Sequence, residues 1–424
     1  MRRSRSGGRG GPSIGDVKGA TFGEVFAVKE FRVLFAGFVL LIVGDSIKML
    51  ALSVLVYERT GSPGLSAAAY MAGWLPFIFG GLFLLSLADR VPARALMVAG
   101  ELIRAVTCAL LAWAGMPVWA MLALVIGTGL LSPVFFAARA AMLPEVLPGD
   151  AFVLGRSVLN VASAGGQILG LAVGGAFLAF AGPSGALGVT AGLSVLGAVV
   201  LRAGLPFTRA RGAGQRGAVR QTLQVNRRLL ADGRVRGLLL AGWLPPVCLA
   251  GAEAMVVPYL GGQGQAGVVL AAAAGGMAVG EFAVGRFVTP GGRERLSLPL
   301  AVLLGVPWLG FALAPGVAWA AVLAALATAG LAYQLGLQRR FVDAVPEEVR
   351  GQAFGLQSAG LMTGQAAGAA LVGGLGEVAG PGEAIAVSGA MGIVVAVALA
   401  RVLRPARVIS TSGLPGPAHP TPGE

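Results

Sequence analysis

Charge is what this chain has least of. Only 12% of its 424 residues are Asp, Glu, Lys or Arg, against about a quarter in a soluble globular chain. Half the usual charge cannot cover the surface of a water-soluble protein of this size. Histidine is nearly absent as well. The single His419 lies in the tail, which excludes a histidine proton relay, a histidine-based metal site and a Ser/His/Asp catalytic set inside the body. The two cysteines, Cys108 and Cys248, sit in apolar blocks and offer neither a disulfide framework nor metal-ligand spacing. No G-x-x-x-x-G-K-[ST] run occurs, so ATP is not a direct energy source. No cofactor and no metal are expected.

In their place stand apolar residues, 56% of the chain. They come in long blocks from Val33 to Arg401, and about 20 apolar residues cross a bilayer as a helix. Lipid offers no partner to backbone polar groups, so such blocks form helices. The short alternating segments of a membrane barrel are missing. The first half predicts spans near 33–57, 65–88, 95–114, 118–138, 154–180 and 185–203, and the second near 237–258, 266–288, 297–314, 317–337, 355–378 and 384–403. The expected fold is an all-α integral membrane protein: twelve transmembrane helices in two pseudo-symmetric six-helix halves. Residues 1–32 read as a basic cytoplasmic tail, 33–203 as the first half and 204–236 as a basic linker. Residues 237–403 read as the second half, and 404–424 as a disordered Pro/Gly-rich tail.

The formal charge of +13 does not point to nucleic acid, because the cations lie between the blocks. Arg90, Arg94, Arg139, Arg156, the run from Arg209 to Arg236, Arg293, Arg295, Arg339, Arg340 and Arg350 all fall in loops on one side. The other side holds only Arg59. The positive-inside rule makes the arginine-rich side, and with it both termini, cytoplasmic. The basic N-terminus lacks an apolar core and reads as a tail, not a cleaved signal. A monomer in the inner (plasma) membrane is expected.

An internal repeat supports the two halves. Pro144-Glu145 followed by Ala151-Phe152-Val153-Leu154 matches Pro346-Glu347 followed by Ala353-Phe354-Gly355-Leu356, and Gly166 matches Gly368 at the same offset. Two six-helix repeats are a known transporter layout.

Ionisable residues inside a span are costly and are functional candidates by default. Asp45 and Lys48 share one face of the first helix at i, i+3, and Glu101 and Arg104 repeat that spacing on the third. Glu253 lies toward the outer end of the seventh helix and Glu281 toward the inner end of the eighth. Asp45, Lys48, Glu253, Glu101 and Arg104 are the candidates for proton or ion coupling. Polar side chains mark candidate cavity linings: Tyr70 and Trp74 on the second helix; Asn160, Ser163 and Gln167 on the fifth; Tyr333 and Gln334 on the tenth; Gln357, Ser358 and Gln365 on the eleventh. Such groups can equally hold helices together.

Two local motifs carry a resemblance. After the second span the chain reads Leu85-Ser86-Leu87-Ala88-Asp89-Arg90-Val91-Pro92-Ala93-Arg94, and on the fifth it reads Gly166-Gln-Ile-Leu-Gly170-Leu171-Ala-Val-Gly174-Gly175. With the topology and repeat, these resemble the major facilitator superfamily. Its loop motif is G-x-L-A-D-R-x-G-R-R, and its exporters carry G-x-x-x-G-P-x-x-G-G. Leu171 stands where the exporters have proline. The resemblance implies a gating loop at Asp89, Arg90 and Arg94. It also implies a central cavity lined by the first helix, and helix-packing glycines at Gly166, Gly170, Gly174 and Gly175. Short runs such as Gly44-Asp45 and Leu143-Pro144-Glu145 are similar to bacterial macrolide and siderophore exporters of that superfamily. Drug antiporters of the family carry an arginine inside the fourth helix. The expected fourth helix, Val118 to Ala138, has none, and Arg139 falls at its end.

The functional expectation is a secondary active transporter, an exporter of a small amphipathic metabolite or drug working by alternating access with protons. The alternatives are an uptake transporter of the same fold, or a non-transporting sensor or assembly protein on a transporter scaffold. The implied partners are a small-molecule substrate, protons and lipid.

Overall fold

A computed structural model describes residues 21–77, 79–80, 91–148, 150–206, 218–261 and 264–404. The described residues form helices joined by short turns and no strands. Among the described residues, nine helical runs are long and apolar enough to cross a membrane. One of them, reaching Gly204, holds two spans in a single run from Asp150. Gly182 breaks that run with φ of 68°, a left-handed conformation open to a residue without Cβ, and Pro183 starts the next span. The second span starts at Pro63 and runs through a 3-10 turn at Ala72–Trp74 toward residues outside the described set. The eleventh, Arg350–Ala379, is long enough but diluted by glycine and alanine. Twelve spans result.

Local chemistry sets the ends. Gly61 closes the first span, Lys29–Thr60, by donating its N–H to the carbonyl of Tyr57 at 2.8 Å. Ser62 caps the second, its hydroxyl accepting the N–H of Leu65 at 3.0 Å, with Pro63 pre-set for the first turn. Asp232 caps the seventh, Gly233–Ala254, by accepting from the N–H groups of Arg234 and Val235. Those donors, Val235 foremost, hold the Asp232 carboxyl below the usual carboxylate range. Thr289 caps the ninth span, which starts at Pro290.

The expected boundaries shift in one place that matters. The fourth span is Val118–Gly129 followed by Ser132–Val146, so it runs well past Ala138. Arg139 therefore lies inside it, and the expectation of an arginine-free fourth helix is corrected. The arginine reads as a loop residue only while its partner is unknown. The helix carries it into the protein, 3.8 Å from Glu101, and continues through Pro144 to Val146. The basic linker contains a helix at Ala218–Ala231. That helix packs on the eleventh span, whose Gln352 donates its amide to the carbonyl of Thr222 at 3.0 Å.

Within the first half, the first span packs along the fifth and the third along the sixth. In the second half, the seventh packs on the eleventh and the eighth on the tenth. Glycine allows the close crossings. A Cβ on Gly170 would lie 2.7 Å from the carbonyl oxygen of Val43, and one on Gly368 would lie 2.4 Å from that of Val247. The repeat-related Gly166 meets Ile42 of the first span.

Successive spans run antiparallel, so one end of the bundle carries Gly61, Gly182 and Gly380 and the other carries both ends of the described chain. The halves meet at the first of these ends. There the second span touches the eleventh and the fifth touches the eighth. Glu377 accepts the hydroxyl of Ser62 and, at 2.9 Å, the N–H of Gly64, capping the second span from across the interface. Gly175 faces Gly264 and Gly267 with backbone against backbone.

Candidate functional site: a charged cavity in the first half

On the other side of that seal lies a cavity of about 310 Å3, within the range of small-molecule sites. It is built by the first five spans, with Met362 of the eleventh as the contribution of the second half. Phe38, Trp74, Phe77, Phe135 and Phe136 give it an aromatic wall. Gly100 shapes that wall, since a Cβ there would lie 2.8 Å from the Phe135 ring.

Its polar lining is a chain of charges. Lys48 donates to Asp45 one turn away on the first span. On the third span Arg104 donates to Glu101, and its Nε donates to Ser194 Oγ of the sixth at 2.9 Å. Arg104 also acts electrostatically on Asp45, which joins the two pairs. Arg139 reaches in from the fourth span. Its Nη2 lies 3.8 Å from Glu101 Oε1, and its guanidinium lies 5.4 Å from the Phe38 ring centroid. Glu101 is 2% exposed and Arg139 7%. Charges so removed from water need partners, and Glu101 serves two cations.

The sequence-nominated residues divide clearly. Asp45, Lys48, Glu101, Arg104, Trp74, Ser163 and Gln167 line the cavity. Tyr70 lies beside it, in a small recess shared with Asp45, Lys48 and Trp74. Glu253 of the seventh span acts electrostatically on Tyr70 across the interface. Tyr333 is fully buried in the second half, and its hydroxyl donates to the carbonyl of Ala241 at 2.7 Å. It ties the tenth span to the seventh and does not line the cavity. Gln334, Gln357, Ser358 and Gln365 also lie outside the lining. The backbone carbonyl of Gln357 accepts the indole N–H of Trp243 at 2.8 Å. Glu281 is exposed on the eighth span. The side chain of Asn160 and the residues Asp89 and Arg90 lie outside the described set. Of the gating loop, Arg94 is described, and it donates to the Leu205 carbonyl at the end of the sixth span at 2.8 Å.

Of the four glycines nominated for packing, Gly166, Gly170 and Gly174 face the first span, whereas Gly175 faces the eighth and belongs to the seal. Sequence reasoning missed Arg139. No neighbour in sequence marks it, because its approach to Glu101 joins the fourth span to the third only in the folded chain.

A family model described as the Major Facilitator Superfamily matches residues 34–337. The chain belongs to that superfamily. Solved structures agree on the fold. The nucleoside transporter NupG is 12% identical, with a TM-score of 0.67, covering 88% of this chain and 99% of that one. The xylose transporter XylE from E. coli, in an inward open conformation, is 16% identical at a TM-score of 0.63, covering 89% and 96%. A POT family transporter in complex with 5-aminolevulinic acid is 12% identical at 0.67, covering 91% and 97%. At these identities the likeness concerns the fold alone. No curated protein matches the chain closely enough to count as a relative.

Proposed function

We propose that this superfamily member is a secondary active exporter of a small amphipathic molecule, coupled to protons and working by alternating access. The observation that carries the reading is the pairing of a closed seam at one end with a charged, aromatic-walled cavity behind it. A carrier needs a site that one end of the bundle covers while the other serves it. If the arginine-rich side is cytoplasmic, as the charge asymmetry indicates, this is the inward-facing state. Export rests on the glycine spacing of the fifth span, Gly166 to Gly175. Coupling is assigned to Asp45 and Glu101, carboxylates inside the membrane that share the cavity with the substrate. Glu253 is a second-half candidate.

The test is flux of a fluorescent amphipathic panel in inside-out vesicles of cells expressing the chain. Accumulation that collapses with the proton gradient supports coupled export. Flux in the opposite direction supports uptake. No flux across the panel refutes the carrier reading and favours a sensor on a transporter scaffold.

A further inference from the structure

Resting on the reading of this cavity as the substrate site, we infer that it takes an organic monoanion, whose carboxylate or similar oxyanion binds Arg139 and whose apolar body lies against the phenylalanines. Charge gives the first argument. Among the described residues, Lys48, Arg104 and Arg139 face the cavity against Asp45 and Glu101, which leaves one positive charge unmatched there. The unmatched charge can be located. Lys48 is held by Asp45, and Arg104 is held by both Glu101 and Ser194. Arg139 has only a long approach to Glu101 at 3.8 Å.

Hydrogen bonding gives the second argument and is independent of the first. Among the described residues the Nε and Nη1 of Arg139 have no hydrogen-bond partner, although the side chain is 91% removed from solvent and borders the cavity. Leaving buried guanidinium N–H groups unpaired is costly, and groups left so in a folded protein call for an absent partner. Nε and Nη1 open toward opposite edges of the guanidinium, and each forms with Nη2 a planar fork that matches the two oxygens of a carboxylate, so an oxyanion at either edge takes one unpaired N–H together with Nη2. Phe38 makes a cation–π contact with the guanidinium, whose Cζ lies 5.4 Å from its ring centroid. Phe135 and Phe136 lie on the same span, four and three residues before Arg139, so an aryl or aliphatic body bound at the head group meets an aromatic wall.

The test uses three matched probes on the full-length protein in nanodiscs: dansylglycine, its neutral methyl ester and the amine dansylcadaverine. Binding is read by dansyl fluorescence and anisotropy. The expected order has dansylglycine binding about 10- to 100-fold tighter than its ester, the range of a charge-assisted bond, with the amine weakest. In Arg139→Met that preference disappears while ester binding stays, and Arg139→Lys keeps part of it. If Arg139→Met fails to fold, the three probes on the wild-type protein still decide. Equal binding of all three, a preference for the amine, or no binding by any of them overturns the inference. Failure of the carrier reading would look different: dansylglycine would bind with the Arg139 dependence but would not cross a proteoliposome membrane.

Discussion

Gly175→Ala should open the seal. A Cβ at this position would lie 2.9 Å from the Cα of Gly267 and 3.0 Å from the carbonyl oxygen of Gly264. Heavy atoms rest at about 3.5–4.0 Å, so the fifth and eighth spans must part by about 0.6–1.1 Å. Both neighbours are backbone, and no rotamer change can relieve the contact. Overpacking of this kind costs about 1–3 kcal/mol, and the cost falls only on the state in which this end is closed. The equilibrium should move toward the alternative state by a factor of about 5 to 150. Spin labels at Leu65 and Val378, both exposed and on opposite sides of the seam, would report it by pulsed dipolar spectroscopy, with Cys108 and Cys248 replaced. The expected result is a longer-distance population that grows in Gly175→Ala. It should grow further in Gly267→Ala, where the Cβ would come within 2.5 Å of Gly175 Cα. Gly165→Ala and Gly275→Ala lie on the same two spans and meet nothing within 4 Å, so they should leave the distances alone. An unchanged distribution in Gly175→Ala, or an equal change in the two controls, would refute the argument.

Three further outcomes are expected. Glu101→Gln leaves Arg104 and Arg139 buried without their shared carboxylate, and should cost about 3 kcal/mol or more of stability. Unfolding in detergent would measure this, and adding Arg139→Met should return part of the loss; an unaltered unfolding midpoint for the single variant would contradict the placement of the cluster. Asp45→Asn should reduce gradient-driven flux to the level seen without a gradient while substrate binding persists, and undiminished coupling would remove Asp45 from the proton path. Asp232 has its carboxyl depressed in the folded chain by backbone donors. Its contribution is therefore fully present above the ordinary carboxylate range of about pH 4 and is lost as pH falls through the lower folded value. Thermal melting below about pH 4 should thus show a smaller acid-induced loss in Asp232→Asn, which caps without titrating, than in the wild type.

Much of the fold is legible because the bilayer imposes a simple rule on sequence: long apolar blocks, punctuated by Gly, Pro and Arg. Ser62-Pro63 and Thr289-Pro290 announce helix starts in the residues themselves. The same rule misleads at Arg139, where a charge was taken as a boundary although the helix carries it inward to the cavity, 3.8 Å from Glu101, a residue far away in sequence. Spacing alone puts Asp45 with Lys48 and Glu101 with Arg104. That both pairs turn toward one cavity depends on the rotation of each helix about its axis, and blocks that are apolar all round do not encode it. Tyr333 illustrates the converse. Its hydroxyl is as polar as that of Tyr70, but its helix is rotated so that the group meets the Ala241 carbonyl. Gly175 directly follows Gly174 in one motif, yet the two serve different interfaces.

The seam between Gly175 and Gly264/Gly267 has a kinetic consequence. A gate made of side chains must freeze their rotamers each time it shuts, at up to about 2 kcal/mol for a long one. A gate made of bare backbone freezes none. Its closure is set by a few dispersion contacts and by the polar rim where Glu377 accepts from Ser62 and Gly64. Under the proposed alternating access these two contributions sit at separate places on the seam, so each can be altered without the other.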